Sequence, residues 1–112
     1  MHSSLTTDSI EHQVTQMDIN AIHKALANPM RRQILAWLKD PEQFFPEQAH
    51  PHKFGVCAGQ IDQRAALSQS TVSAHLAILL KAGLITSHRV GQWNYFKRDE
   101  ATIQAFIDQM TL

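Results

Sequence analysis

The sequence predicts a mostly helical domain carrying one small β-hairpin, on three observations. Apolar residues recur at three- and four-residue spacing, as in Met30, Ile34, Leu35, Leu38 and again in Val72, Leu76, Leu79, the period of helices with one buried face. Residues 84–90 and 92–97 are rich in β-branched and aromatic types and flank Gly91, as two strands joined by a tight turn would. Residues that start and stop helices punctuate the rest: Asn28-Pro29, Pro41, Ser68, Gly83 and Asp99.

Composition narrows the class. At 112 residues, 44% hydrophobic and 18% charged, the chain fits one globular domain with a core, too small to enclose a large catalytic pocket. The expected division is a flexible stretch over residues 1–7, then a single domain over 8–112. One cysteine, Cys57, forbids an intramolecular disulfide and suits a reducing compartment. The run Leu76-Ala77-Ile78-Leu79-Leu80 is far short of the roughly 20 apolar residues that span a bilayer. MHSSLTTDS lacks a basic segment followed by an apolar one, so a cytoplasmic protein with no membrane partner is expected.

Taken in order, Asp8-Ser9-Ile10-Glu11 has the form of a capping box, opening a helix with Ile10, Val14, Met17 and Ala21 on one face. Asp18 caps or interrupts that helix before Ile19, Ile22 and Leu26 continue the stripe. Asn28 is the expected N-cap of the next helix with Pro29 at its first position, and Pro41 its end. Residues 41–55, with three prolines, Gly55 and two histidines, are expected as an extended loop. Helical character is expected again from Val56 to Ala66. Ser68 caps the following helix, which runs to Ala82. The hairpin follows, and Asp99 caps a last helix carrying Ile103, Phe106, Ile107 and Met110.

A zero net charge hides an asymmetry. Residues 1–62 sum to −2, residues 63–98 to +5 with no carboxylate, and residues 99–112 to −3. A 36-residue acid-free stretch suits a surface facing a polyanion, since each phosphate contact releases counterions and each carboxylate opposes it. Within that stretch lie a helix, a turn and a hairpin, the order of a winged helix-turn-helix. The first turns of the second helix offer Gln69, Ser70, Thr71, Ser73 and Ala74, small or hydrogen-bonding side chains that let a helix enter the major groove and bond base edges or phosphates. Arg89, beside Gly91, stands at the hairpin tip, where an arginine reaches backbone or minor groove. The competing reading is a winged helix serving as a protein-interaction module.

The segments ALANPMRRQILAWL and LSQSTVSAHLAILLKAGLITSHRVGQWNYF resemble the ArsR/SmtB family of bacterial winged-helix repressors from about residue 18 onward, interrupted by the 41–55 loop. The resemblance rests on Ala-Leu-Ala-Asn-Pro with Arg31 two residues on, Ser-Gln-Ser-Thr-Val-Ser-x-His-Leu, Leu-x-x-Ala-Gly-Leu-Ile, and Gly-x-Trp-x-Tyr-Phe. It implies a homodimer on a palindromic double-stranded operator, repressing until an effector, here a small molecule of unknown identity, releases it. DNA contacts would then come from Ser68, Gln69, Ser70, Thr71, Ser73, His75, Arg89 and Gln92. Terminal helices would form the dimer interface through Ile10, Val14, Met17, Ile103, Phe106, Ile107 and Met110, stripes that exceed what one thin helical layer needs.

The family's metal sites are not intact. Where metal sensors carry Cys-x-Cys-Asp, this chain has Cys57-Ala58-Gly59-Gln60, and its last helix has carboxylates but no histidine. No cofactor is therefore expected. Cys57 with His50 and His52 is the remaining candidate cluster for a metal- or thiol-responsive sensor, although a buried, inert thiol fits Cys57 better. His75 is expected to pack or to bond the backbone. No nucleophile–base spacing, phosphate loop or carboxylate pair suggests an enzyme. Phe44, Phe45 and Phe54 of the loop could line an organic ligand's pocket.

Overall fold

Helix boundaries follow the capping residues. The computed structural model describes residues 17–111, and the expectations placed on Asp8, Ile10 and Val14 lie outside them. Asp18 accepts from Ala21 N (3.0 Å) and opens α1, Ile19–Leu26. Asn28 Oδ1 accepts from Met30 N (2.8 Å) and Arg31 N (3.2 Å) at the start of α2, Pro29–Lys39. Such caps satisfy amide groups that the helix itself cannot. The chain continues through a one-turn α3 (Pro41–Phe44), a 3₁₀ turn (His52–Phe54), β1 (Val56–Cys57), α4 (Ala58–Ala65), α5 (Gln69–Lys81), β2 (Ile85–Val90), β3 (Trp93–Arg98) and α6 (Glu100–Met110).

The strands form one antiparallel sheet in the order β1-β3-β2. The expected hairpin is present, its turn at Gly91 using a positive φ of 61° as such turns require. The third strand corrects the expectation of helix from Val56: Val56 and Cys57 pair with Phe96 and Tyr95 and satisfy backbone groups on the inner edge of β3, so the helix begins only at Ala58.

Strand alternation divides the sheet into two faces. Ile85, Ser87 and Arg89 of β2 share the inner face with Arg98, Phe96 and Asn94 of β3, whereas Thr86, His88 and Val90 share the outer face with Lys97, Tyr95 and Trp93. Ile85 and Phe96 join Ile22, Ala25, Ile34, Leu35, Leu38, Val56, Ile61, Val72, Leu76 and Leu79 in the core. Each fully buried aliphatic side chain there contributes about 1.5–3 kcal/mol. Arg98 ties β3 to α2 by donating to Leu35 O (3.2 Å).

Residues 41–55 are built, contrary to the extended loop expected. Phe45 is buried in the core. Gln48 donates to His50 O and Gly55 O (both 3.0 Å) and accepts from Cys57 N (2.8 Å). The segment covers the outer sheet face: Tyr95, 1% exposed, lies against the rings of His50 and Phe54, and Phe54 stacks on His88 at 5.4 Å. Among the described residues Tyr95 Oη has no hydrogen-bond partner, and burial, with the Cys57 charge second, pushes its phenol above the usual range. The three phenylalanines do not converge. Phe44 and Phe45 border a shallow hollow with Arg64, while Phe54 borders another with Lys53 and Lys97.

Gly55 closes the segment onto the sheet with φ 102°, and a Cβ there would run into the Phe96 carbonyl. Backbone strain of about 1–3 kcal/mol plus that collision should make Gly55→Ala destabilising by about 2–4 kcal/mol. Urea unfolding checks it, and a loss below about 0.5 kcal/mol, the range of ordinary surface substitutions, would show that the segment yields freely.

Candidate nucleic-acid interface

Helix α5 is set by its buried stripe. Val72, Leu76 and Leu79 are inside, so Gln69, Ser70, Thr71 and Ser73 are exposed at its N-terminal end. The α4–α5 turn is sharp because Ala66 adopts φ 55°, a left-handed conformation uncommon for a residue with a Cβ. Ser68 Oγ accepts from Thr71 N (3.2 Å) and lies 2.8 Å from Thr71 Oγ1 and 3.3 Å from Ser70 Oγ. Its hydroxyl is occupied with capping. Of the residues expected to contact DNA, Ser68 is thus a frame for its neighbours.

The wing returns toward the same end of α5. Gln69 and Ser73 line one hollow with Asn94 of β3, together with Ala58, Asp62, Leu76 and Phe96, and Asn94 is the cross-strand partner of Arg89. Arg89 is exposed, its Nε donating to Gly91 O (3.0 Å), and Gln92 is exposed in the turn. Seven of the eight expected contacts, Ser68, Gln69, Ser70, Thr71, Ser73, Arg89 and Gln92, are therefore exposed at the start of α5 and on the wing, and His75 is the exception.

Three features differ from the sequence reading. His75 is half-buried and bonds a side chain: its Nδ1 accepts from Arg31 Nη1 (3.2 Å). Burial first, and the Arg31 charge second, hold its pKa below the usual histidine value. Asp62, just outside the acid-free stretch in sequence, joins it in space beside Ser73, and burial raises its pKa. The third feature is Trp93, 47% exposed, opposite Val90 at the wing tip. The Gly-x-Trp pattern placed Trp93 on the wing but gave no sign of its exposure.

The stripe assigned to the dimer interface is split. Met17, Ile103 and Phe106 pack against the protomer's own core, Phe106 edge-on to His23 at 5.4 Å. Ile107 and Met110 are 47% and 63% exposed. Cys57, half-buried rather than buried, sits at the N-cap position of α4. His50 packs on Tyr95 and His52 Nε2 donates to Phe45 O (2.8 Å). Among the described residues no three His, Cys, Asp or Glu side chains gather where a metal could be held, and no helix is long and apolar enough to cross a membrane.

Two helices joined by a sharp turn and followed by a β wing define a winged helix-turn-helix protein. The model of the family described as bacterial regulatory protein, arsR family, matches residues 56–87. The HTH-type transcriptional regulator YbzH of Bacillus subtilis is 45% identical over 89 residues, 78% of this chain and 89% of that one. The transcriptional repressor SdpR of the same organism is 32% identical over 92 residues, 82% and 88% of the two chains. The transcriptional activator HlyU of Vibrio cholerae is 32% identical over 85 residues, 76% and 67%. Among solved structures, an ArsR family regulator, RHA00566, superposes with a TM-score of 0.62 at 19% identity, over 81% of this chain and 80% of that one. The homodimeric winged helix-turn-helix DNA-binding domain of Mb0332 from Mycobacterium bovis gives 0.58 at 23%, over 82% and 75%. The chain belongs to the ArsR family of transcriptional regulators, and these relatives are named as regulators of transcription.

Capping and reading should separate experimentally. Ser68→Ala removes an N-cap and should cost about 0.5–2 kcal/mol of stability, whereas Ser70→Ala, at an exposed position, should stay within about 0.5 kcal/mol. Equal losses in urea unfolding would contradict the assignment.

Proposed function

We propose that the chain is a dimeric repressor that binds a palindromic operator in double-stranded DNA and leaves it when a small-molecule effector binds. The observation that carries the reading is the coincidence at one end of the molecule of α5's polar, carboxylate-free first turns and the wing's Arg89. Gln69, Ser70, Thr71 and Ser73 would enter the major groove and discriminate bases. Arg89 and Gln92 would hold phosphates or the minor groove, and Ser68 would keep the first turn in shape. The repressor SdpR, 32% identical, supports the sign of regulation, and HlyU, named an activator, makes a reporter assay the test of that sign.

Dimerisation is part of the proposal because one winged helix reads only one half-site. The homodimeric Mb0332 domain supports it, as do Ile107 and Met110, apolar side chains left outside the protomer core. Ile107→Asp with Met110→Asp should yield a folded monomer with weaker operator binding. Light scattering and gel shift read both, and an unchanged dimer would move the interface elsewhere.

Titration on operator and random duplexes across a salt series tests the reading surface. A good base contact is worth about 1–3 kcal/mol of discrimination, so Gln69→Ala and Thr71→Ala should each narrow the operator-to-random ratio by about five- to a hundredfold. Arg89→Ala should weaken both duplexes together and reduce the salt slope by about one ion. An unchanged ratio in both helix variants would show that α5 is not the reader.

A further inference from the structure

Arg31 has a place in the molecule that the DNA reading does not use. Among the described residues it is the one charged side chain in the buried set, 9% exposed. Its guanidinium is a fork with three ends: Nε donates to Ala25 O (2.8 Å), Nη2 to Lys24 O (3.0 Å), and Nη1 to Nδ1 of His75 (3.2 Å). Two prongs therefore hold carbonyls in the last turn of α1, and the third crosses to the middle of α5. The backbone N–H of Arg31 is itself held by Asn28 Oδ1 (3.2 Å), so the fork stands on a capped helix start.

The chemistry of that third bond is one-way. A guanidinium only donates, so Nδ1 of His75 must be the accepting, unprotonated nitrogen and the imidazole the Nε2–H tautomer. A proton on Nδ1 removes the acceptor and sets an imidazolium against a guanidinium, two cations at hydrogen-bond distance. Resting on the DNA reading above, we propose that Arg31 is a positioning residue for α5. It acts through the neutral imidazole of His75, so that α5 is held for DNA only while Nδ1 carries no proton.

Arg31 is the charge that bears on His75. The other charged and titratable groups on the elements packed around α5 are engaged or located elsewhere. On α1, His23 lies against Phe106 and Lys24 is exposed. On α2, Arg32 bonds Leu26 O and Lys39 lies in the last turn. On α4, Asp62 faces the hollow beside Ser73, and Arg64 covers the rings of Trp37 and Phe44. On β2, His88 stacks on Phe54 and Arg89 is at the wing tip. Lys81, on α5 itself, is exposed in its last turn. Among the described residues no carboxylate is thus placed to compensate a protonated His75.

The sign follows. A histidine whose pKa is lowered in the tethered state binds fewer protons there than when released, so the tether is favoured at neutral pH and lost as pH falls below the ordinary histidine value of about 6.5. Acid should act the other way on every exposed histidine, since added positive charge favours DNA. His75→Asn separates the two effects, because Asn Oδ1 stands where Nδ1 stood and accepts from Arg31 without titrating.

The test uses a duplex recovered from a random pool by selection with the wild-type chain. Binding at pH 7.5 examines the DNA reading alone. Between pH 7.5 and 5.5 the wild type should weaken, by up to about tenfold for each pH unit below the ordinary histidine value of about 6.5. His75→Asn should bind near wild-type strength at pH 7.5 and stay flat or tighten on acidification, and His75→Ala should be weak throughout while keeping its circular dichroism. Parallel pH profiles for wild type and His75→Asn would overturn the positioning role and leave the DNA reading intact. Nitrogen-15 spectra of the imidazole give a readout without DNA: Nδ1 should be unprotonated at pH 7.5, and an Nδ1–H tautomer would overturn the proposal.

Discussion

Three side chains on one helix set the terms for everything else. Val72, Leu76 and Leu79 are buried along α5, and once they are, the helix has no freedom to rotate. Gln69, Ser70, Thr71 and Ser73 must then face outward, and His75 must turn toward α1 and α2, where Arg31 meets it. The hydrophobic effect thus selects which polar residues are presented, although it acts on none of them. A rotation that exposed Val72, Leu76 and Leu79 and buried polar side chains in their place would forfeit several kilocalories of burial.

The sheet adds a second constraint. Its inner face carries Phe96 and Ile85 into the same core, so the wing is braced against α5 instead of hanging free. Its outer face would leave Tyr95 exposed if residues 41–55 did not cover it. That segment costs backbone entropy, and it offsets the cost by burying Phe45 in the core and covering Tyr95. The Tyr95 hydroxyl, without a partner among the described residues, is a remaining penalty, since an unmade buried hydrogen bond is unfavourable.

What was legible in the sequence is what local chemistry decides. Asn28-Pro29, Ser68 and Asp99 cap the helices as their side chains require, and Gly91 turns the hairpin because a positive φ suits glycine. The exposed polar residues of α5 followed from its apolar period. Contacts between distant residues were not legible. β1 has two residues, and nothing in Val56-Cys57 announces a partner at Tyr95 and Phe96. Arg31 and His75 are 44 positions apart; His75 alone reads as a residue that packs or bonds the backbone, and nothing in the sequence pairs it with Arg31. Asp62 fell outside the acid-free stretch by one position, yet folding returned it to the foot of α5. The last helix showed its apolar stripe, but only packing could divide it into Ile103 and Phe106 for the protomer and Ile107 and Met110 left over.

The central claim is spatial: the first turns of α5 and the wing tip form one DNA-reading surface. Amide chemical-shift mapping of the labelled chain during titration with duplex DNA tests it most directly. The account expects the largest changes at residues 68–73 and 89–92, with small changes across the outer sheet face around Lys53 and Lys97. Changes centred on that outer face, or none at salt concentrations low enough for phosphate contacts to form, would contradict it.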